Sequence, residues 1–237
     1  ISLGTNQHPI LCNVFVQQGV SESCADSERE DWQRPGEGRE IVLPTLHLLP
    51  NAPREGVVIN LAAMRLYYFP RTAKGEKPVV YTFPIGIGRV GWATPEGTTS
   101  VVRMARNPSW RPGPGVRAEH AENGEVLPAV VPPGPDNPLG SRALYLGWPS
   151  YLIHGTNKPY GVGMRVSHGC VRLYPENIAV LYALVEVGEP VNIINEPYLV
   201  GWRGGEVYLE AHPPLEEEQD MAAERLSLVL DIEQSKT

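Results

Sequence analysis

The chain has 237 residues, 42% hydrophobic and 20% charged, with 24 glycines and 24 prolines. That length buries a core for one medium domain plus a small appendage, and the glycine and proline content favours short strands and turns over long helices. The formal charge of -7 sits at the ends, with -4 over residues 1–53, -6 over 197–237 and +3 over 54–196; the middle suits an anionic ligand but is nowhere basic enough for a nucleic-acid groove.

No apolar run approaches the ~20 residues of a membrane span. Residue 1 opens on no basic leader with an apolar core, so an export signal is expected to be absent from this chain. In chain order, residues 17–40 are polar, acidic and aperiodic, and read as loop or a short helix. IVLPTLHLLP (41–50) is a strand-like run broken by prolines, and NAPREG (51–56) is a turn and a boundary. Two strands follow in VVINLAAMRLYYFP (57–70), one in KPVVYTFPIG (77–86) and one at SVVRMARN (100–107), all rich in β-branched and aromatic residues. Residues 111–140 are dense in proline and glycine and read as a long irregular excursion. A connector of that length between strands is expected to be functional, here a flap that carries Arg111 and Arg117; a surface insertion remote from any chemistry is the other reading.

ALYLGWPSYLIHG (143–155) gives two more strands, and YPENIAVLYALVEVG (174–188) carries a helical pattern. Pro175 suits its first turn, Glu176 suits the positive end, and Ile178, Leu181, Tyr182 and Val185 share a face. PVNIIN (190–195) returns as a strand, YLVGWRGGEVYLE (198–210) is a hairpin around Arg203–Gly204–Gly205, and 215–232 is an acidic terminal helix.

Three cysteines are present, at 12, 24 and 170. In an oxidising compartment Cys12 and Cys24 are able to pair and leave Cys170 as the lone thiol; three reduced cysteines is the other reading, and spacing does not choose between them. Cys170 closes the tetrapeptide SHGC, and a second His-Gly pair stands at 154–155. A cysteine attacks a carbonyl as thiolate, so it needs a base within reach or a lowered pKa. His154 follows the strand YLIH, which holds an imidazole rigidly. Gly169 allows a sharp turn before the sulfur, and the backbone N–H groups of such a turn suit an oxyanion hole. If VRL is extended, Arg172 shares the face of Cys170 and can hold a carboxylate. Two other readings remain open from the residues alone. One is a buried structural cysteine, against which the Gly169 and Arg172 flanks speak. The other is a zinc site from His154, His168 and Cys170, in which two ligands one residue apart are awkward tetrahedral partners.

IHGT (153–156) followed by SHGCVRL (167–173) resembles the signature of the L,D-transpeptidase catalytic domain, the YkuD-like family. Residues 51–70, 81–101 and 198–217 are similar to its Gram-negative periplasmic branch, which includes the enzymes that attach the major outer-membrane lipoprotein to peptidoglycan. The resemblance covers about residues 39–217. It implies a mainly β fold, a mixed β-sandwich with a short helix. It also implies Cys170 as nucleophile, His154 as base, the Gly155 carbonyl as the group that orients the imidazole, and His168 and Gly169 at the oxyanion hole. Ser167, Arg172 and Tyr151 are expected to support the site and the substrate. WQRPGEGREIVLPT (32–45) resembles the close of a LysM-like module, so three units are expected: a shortened LysM-like segment (1–52), the catalytic domain (53–196) and a hairpin with an acidic helical extension (197–237). The implied substrate is a peptidoglycan tetrapeptide stem, the acceptor an amine on a second stem or a lipoprotein lysine, and the compartment the periplasm. No metal or organic cofactor is implied, and carbapenems are expected to acylate the thiol. Water as acceptor, giving a carboxypeptidase or amidase, and a non-catalytic wall-binding module are the alternatives.

Overall fold

The computed structural model of the protein describes residues 11–13 and 46–234. The amino-terminal elements are β1 (Leu11–Asn13) and β2 (Leu46–Leu48), and then come β3 (Gly56–Asn60), β4 (Arg65–Phe69), β5 (Tyr81–Pro84), β6 (Ile87–Gly88) and β7 (Gly97–Arg106). After α1 (Pro114–Glu122) run β8 (Arg142–Leu146), β9 (Leu152–His154), β10 (Arg165–Ser167) and β11 (Val171–Arg172). The chain ends with α2 (Pro175–Leu184), β12 (Pro190–Ile194), β13 (Tyr198–Arg203), β14 (Glu206–Ala211) and α3 (Ala222–Gln234).

The fold is mainly β with short helices, and eight strands form one mixed sheet in the order β11-β9-β8-β7-β12-β3-β4-β5. The long strand β7 belongs to both halves of it. Its first residues pair with β12, and from Val101 onward it pairs with β8. Register slips between Val101 and Arg103, a bulge that bends the strand and lets the sheet curl on itself. Val57, Ile59, Leu66 and Phe83 of one half thereby meet Leu144, Ile153 and Val171 of the other in a single core, together with Ile178 and Leu181 of α2. The outer face of the β3–β4 half is also covered, since Val58, Tyr67 and Phe69 pack with Leu49. Burial on both faces explains the near-continuous apolar runs in these strands.

Among the differences from the sequence reading, three concern the excursion and the two later helices. The excursion holds a nine-residue helix, α1, with Pro114 in its first turn and no buried residue; lacking an apolar face, it leaves no periodic signal. The helix at 174–188 stops at Leu184, and Val185 is extended and buried instead. The acidic terminal segment begins as a 3-10 turn at Glu216–Met221 before α3.

A small unit packs the β13–β14 hairpin against β2 through Leu48, Leu199 and Tyr208. Here the Leu48 N–H donates to Glu210 at 2.7 Å, and His212 and His47 lie 2.8 and 3.9 Å from the same carboxylate. Burial pushes this carboxyl up, but the hydrogen bonds from His212, His47 and Leu48 together outweigh it and hold the group well below the usual carboxylate range. The backbone of Cys12 in β1 lies opposite that of His47. The LysM-like reading of 1–52 and the pairing of Cys12 with Cys24 fall mostly outside the described residues.

Candidate active site

The register of the β7–β8–β9–β11 half decides which side chains share a face. Arg103 lies opposite Tyr145 and Ala105 opposite Ala143, while on the next strand Tyr145 meets Leu152 and Ala143 meets His154. His154 in turn lies opposite Arg172. With a side-chain period of two, one face carries Arg103, Tyr145, Leu152, His154 and Arg172, and the other carries Met104, Leu144, Ile153 and Val171 toward the core. The first face is the floor of a cavity of about 670 Å³, which Cys170, Ser167 and His168 also line.

The SHGC turn is fixed at each residue. Ser167 ends β10, which runs parallel to β6, and its carbonyl accepts the Arg89 N–H at 3.0 Å. The Ser167 hydroxyl is buried and donates to the Cys170 carbonyl at 2.5 Å, so it is committed within the turn. Gly169 has φ of +94°, and a Cβ there would lie 2.8 Å from the Tyr151 ring; only glycine meets both demands cheaply. Tyr151 is the wall behind the turn, edge-on to Trp148. Thr94 ties the turn to β6, donating to the Gly169 carbonyl and accepting the Gly88 N–H, both at 3.0 Å.

The Cys170 thiol lies 3.4 Å from the carbonyl of Ser150, a residue held at φ of +71°. That left-handed conformation is costly for serine and is the kind of strain functional sites retain. Burial pushes the Cys170 pKa up, and the Leu152 backbone and the Arg172 charge pull against it. His154 is buried, and its Nδ1–H donates to the Gly155 carbonyl at 2.5 Å. Burial first, and then the Arg172 charge, drive its pKa down to about 3. At neutral pH the imidazole is therefore uncharged, its tautomer is set by Gly155, and Nε2 is the free proton acceptor. Arg172 is half-buried, and its Nε has no hydrogen-bond partner.

The excursion walls this cavity. Its base is closed by the Asn107 N–H on the Ser141 carbonyl at 2.8 Å. Inside it, the buried amide of Asn137 donates to the carbonyls of Pro108, Val131 and Pro132 and accepts the Leu139 N–H. Gly140 presses on the turn after His154: a Cβ there would lie 2.8 Å from the Thr156 nitrogen. Trp110, Arg111 and Pro114 face the cavity, whereas Arg117 is not among its lining. From α1, Glu119 accepts the His168 Nε2–H at 2.8 Å and also pairs with Arg89. The His168 ring stands edge-on to Trp92 at 4.9 Å.

The structure thus brings Cys170, His154, His168, Ser167 and Arg172 to one cavity and sets Gly155, Gly169 and Tyr151 behind them. Glu119, Arg89, Trp92 and Thr94 escaped the sequence reading, because each reaches the turn across a tertiary contact. Among the described residues no group of three or more His, Cys, Asp and Glu could hold a metal ion. No described helix is long and apolar enough to cross a membrane.

A thiol, a neutral buried imidazole and a glycine-built turn thus share one cleft. The chain belongs to the L,D-transpeptidase family: the model of its catalytic domain, YkuD, matches residues 54–193. It is 43% identical over 200 residues to the probable L,D-transpeptidase ErfK/SrfK of Escherichia coli K12, covering 84% of this chain and 63% of that protein. Against the probable L,D-transpeptidase YbiS of the same organism the identity is 46% over 201 residues, covering 84% and 64%. The chain thus spans somewhat less than two thirds of these relatives. Among solved structures, L,D-transpeptidase 3 from Mycobacterium tuberculosis matches with a TM-score of 0.41 at 19% identity, over 60% of this chain and 61% of that one.

Proposed function

We propose that this chain carries the catalytic unit of a periplasmic peptidoglycan L,D-transpeptidase, working by two acyl transfers through Cys170. His154 Nε2 takes the thiol proton as Sγ attacks the carbonyl at the L-centre of the stem's diamino acid. Backbone N–H groups of the His168–Gly169–Cys170 turn hold the oxyanion. The C–N bond to the terminal D-alanine breaks, its amine leaves with the proton from His154, and a thioester remains. An amine then attacks the thioester, His154 takes its proton, and the thiol is regenerated. The observation that carries this reading is His154, buried beside the cavity of Cys170, uncharged, with Nδ1 tied to Gly155. Because the thiol is pushed up and the imidazole down, the resting pair is neutral, and the base acts as the sulfur attacks rather than beforehand.

Arg172, beside both groups, offsets the charge of the thiolate as it forms. The acceptor is a side-chain amine of a second stem, giving a 3→3 crosslink, or the lysine of an outer-membrane lipoprotein. Water in its place makes the same site a carboxypeptidase or amidase. The catalytic unit is residues 53–196, between a LysM-like segment at 1–52 and the extension at 197–237.

The test is incubation with defined tetrapeptide muropeptides, with and without amine acceptors, read by mass. The expected products are free D-alanine and an amide-linked dimer, and Cys170→Ala abolishes both, together with the covalent adduct of a carbapenem. An adduct that persists in C170A, or labelling confined to Cys12 or Cys24, overturns the assignment of the nucleophile.

A further inference from the structure

We infer that Arg103, stacked on Tyr145, is a subsite for a carboxylate of the acyl-donor peptide, placed about 10 Å from the attacked carbonyl. The inference rests on the acyl-transfer reading of this cleft and names a determinant of what the cleft accepts.

The first observation is the charge of the cavity. Its described lining includes Arg103, Arg111 and Arg172 and no Asp or Glu. Three cations around a partly enclosed space, with no acid to neutralise them, set up a positive field that a charged ligand completes. Arg111 hangs from the flap and Arg172 lies beside the sulfur. Arg103 is the member fixed on the sheet floor away from the reacting atoms.

The second observation is how Arg103 is held. Its guanidinium carbon lies 3.4 Å from the centroid of the Tyr145 ring, and among the described ion pairs none involves it. Stacking uses the flat face of the guanidinium and restricts its rotamers, while the in-plane N–H groups stay available for a bidentate carboxylate. Arg106 and Arg142 offer the contrast. They approach Tyr182 of α2 on the opposite face of the same strands at the looser distance of 5.6 Å each.

The third observation is the bulge. Strict alternation from Val101, which faces the core, would turn Arg103 to the core as well. The slip between Val101 and Arg103 inserts one residue, Val102, which is exposed, and brings Arg103 round to the cleft. The row then runs Arg103, Tyr145, Leu152 across three strands, ending beside β11, which Cys170 precedes. At ~4.8 Å per strand, a guanidinium lying over Tyr145 sits about two strand spacings from the strand of the sulfur. A peptide with its carbonyl at Sγ reaches that distance in about three extended residues, or with one long side chain.

The test separates binding from turnover. Two synthetic tetrapeptide donors are compared, one with free carboxylates and one amidated at every carboxyl except the terminal D-alanine. Their Kd values are measured on Cys170→Ala protein with and without Arg103→Gln, and D-alanine release is measured on protein that retains Cys170. The expected result is at least tenfold tighter binding of the free-carboxylate peptide, a preference that R103Q removes and that weakens with added salt. R103K should keep the charge but recover only part of the preference, and Y145L should reduce it without removing it; both also stand in should R103Q fold poorly. An unchanged ratio of the two Kd values in R103Q and R103K, or no preference before substitution, overturns the subsite. If the Arg103-dependent preference is present but D-alanine is released from neither peptide, the acyl-transfer reading falls and the subsite stands. If release is normal and the ratio ignores Arg103, the reverse holds.

Discussion

Ile153 and His154 are neighbours in β9 and both are almost fully buried, yet they face different surroundings. Ile153 joins Leu144, Val171 and Leu181 in the hydrophobic core. His154 looks toward the cleft, where polar groups are buried only because the backbone answers them: Gly155 for the imidazole, the Cys170 carbonyl for Ser167, the Gly169 carbonyl for Thr94. The left-handed Ser150 and the unpartnered Nε of Arg172 also belong to the cleft side. One face of the sheet is built for packing and the other for holding charge and strain in place, and the difference tells which substitutions should affect turnover and which should affect folding.

The largest separation should come from His154→Ala. Removing the base should slow acylation of Cys170 by about 10²–10⁴-fold, while the melting temperature changes little or rises, since a buried imidazole has been removed. Stopped-flow acylation with a carbapenem or a thioester-forming donor measures it. Near-normal acylation in H154A would move the base to another group. His168→Ala should cost less, its proposed catalytic part being a backbone N–H.

Ile153→Ala should show the opposite signature. Truncating a fully buried isoleucine costs about 2–5 kcal/mol, read by denaturant unfolding, whereas acylation per folded molecule should stay within a few-fold. If I153A acylates as slowly as H154A at full stability, the two faces do not divide packing from catalysis.

The same contrast has a pH form. His154 is held down to about 3 in the folded protein, whereas an unfolded histidine titrates near 6.5. Between those values the unfolded chain binds a proton that the folded one refuses, so this group lowers stability as pH falls from about 6.5 toward 3 and contributes nothing to the slope above that window. The slope is at most about 1.4 kcal/mol per pH unit for one proton. H154A should flatten it, as urea midpoints at pH 7 and pH 5 will show. Equal slopes in the two proteins would mean that the imidazole is not held neutral.

The division between faces also explains what could be read from the chain. The strands of the core face announce themselves by β-branched and aromatic residues, and Cys170 and His154 by His-Gly pairs, because those signals are local. The register of β7 is not local. The bulge at Val101–Arg103 reverses the alternation that SVVRMARN suggests, so the sequence pattern alone would have sent Arg103 to the wrong face. Glu119 and His168 are 49 residues apart and meet only because α1 folds back over the turn. The strands β10 and β11 have three and two residues, too short for any periodicity, and exist because β6 and β9 offer edges to pair with.

The smallest effect should come from the flap itself. Glu119 is the polar link from α1 to the SHGC turn, accepting the His168 Nε2–H and pairing with Arg89. These partners, the His168 hydrogen bond first, hold its carboxyl below the usual range. The link is therefore complete above that range and is lost as pH falls through the lowered value. Glu119→Gln keeps the shape but removes the charge, and a partly exposed pair of this kind shifts an equilibrium by about two- to fivefold. We expect faster amide exchange across residues 114–122 in E119Q and acylation slowed by a similar few-fold, with Asn137 and the base of the excursion unchanged because their bonds do not involve Glu119. A bound stem peptide or carbapenem adduct should protect 111–140 together with 165–172 in the unsubstituted protein. Protection confined to 165–172 would mean that the excursion stands beside the reaction without closing on it. Exchange in α1 that ignores both E119Q and acid would show that Pro114 and the Gly115–Trp92 contact, not the carboxylate, hold the flap down.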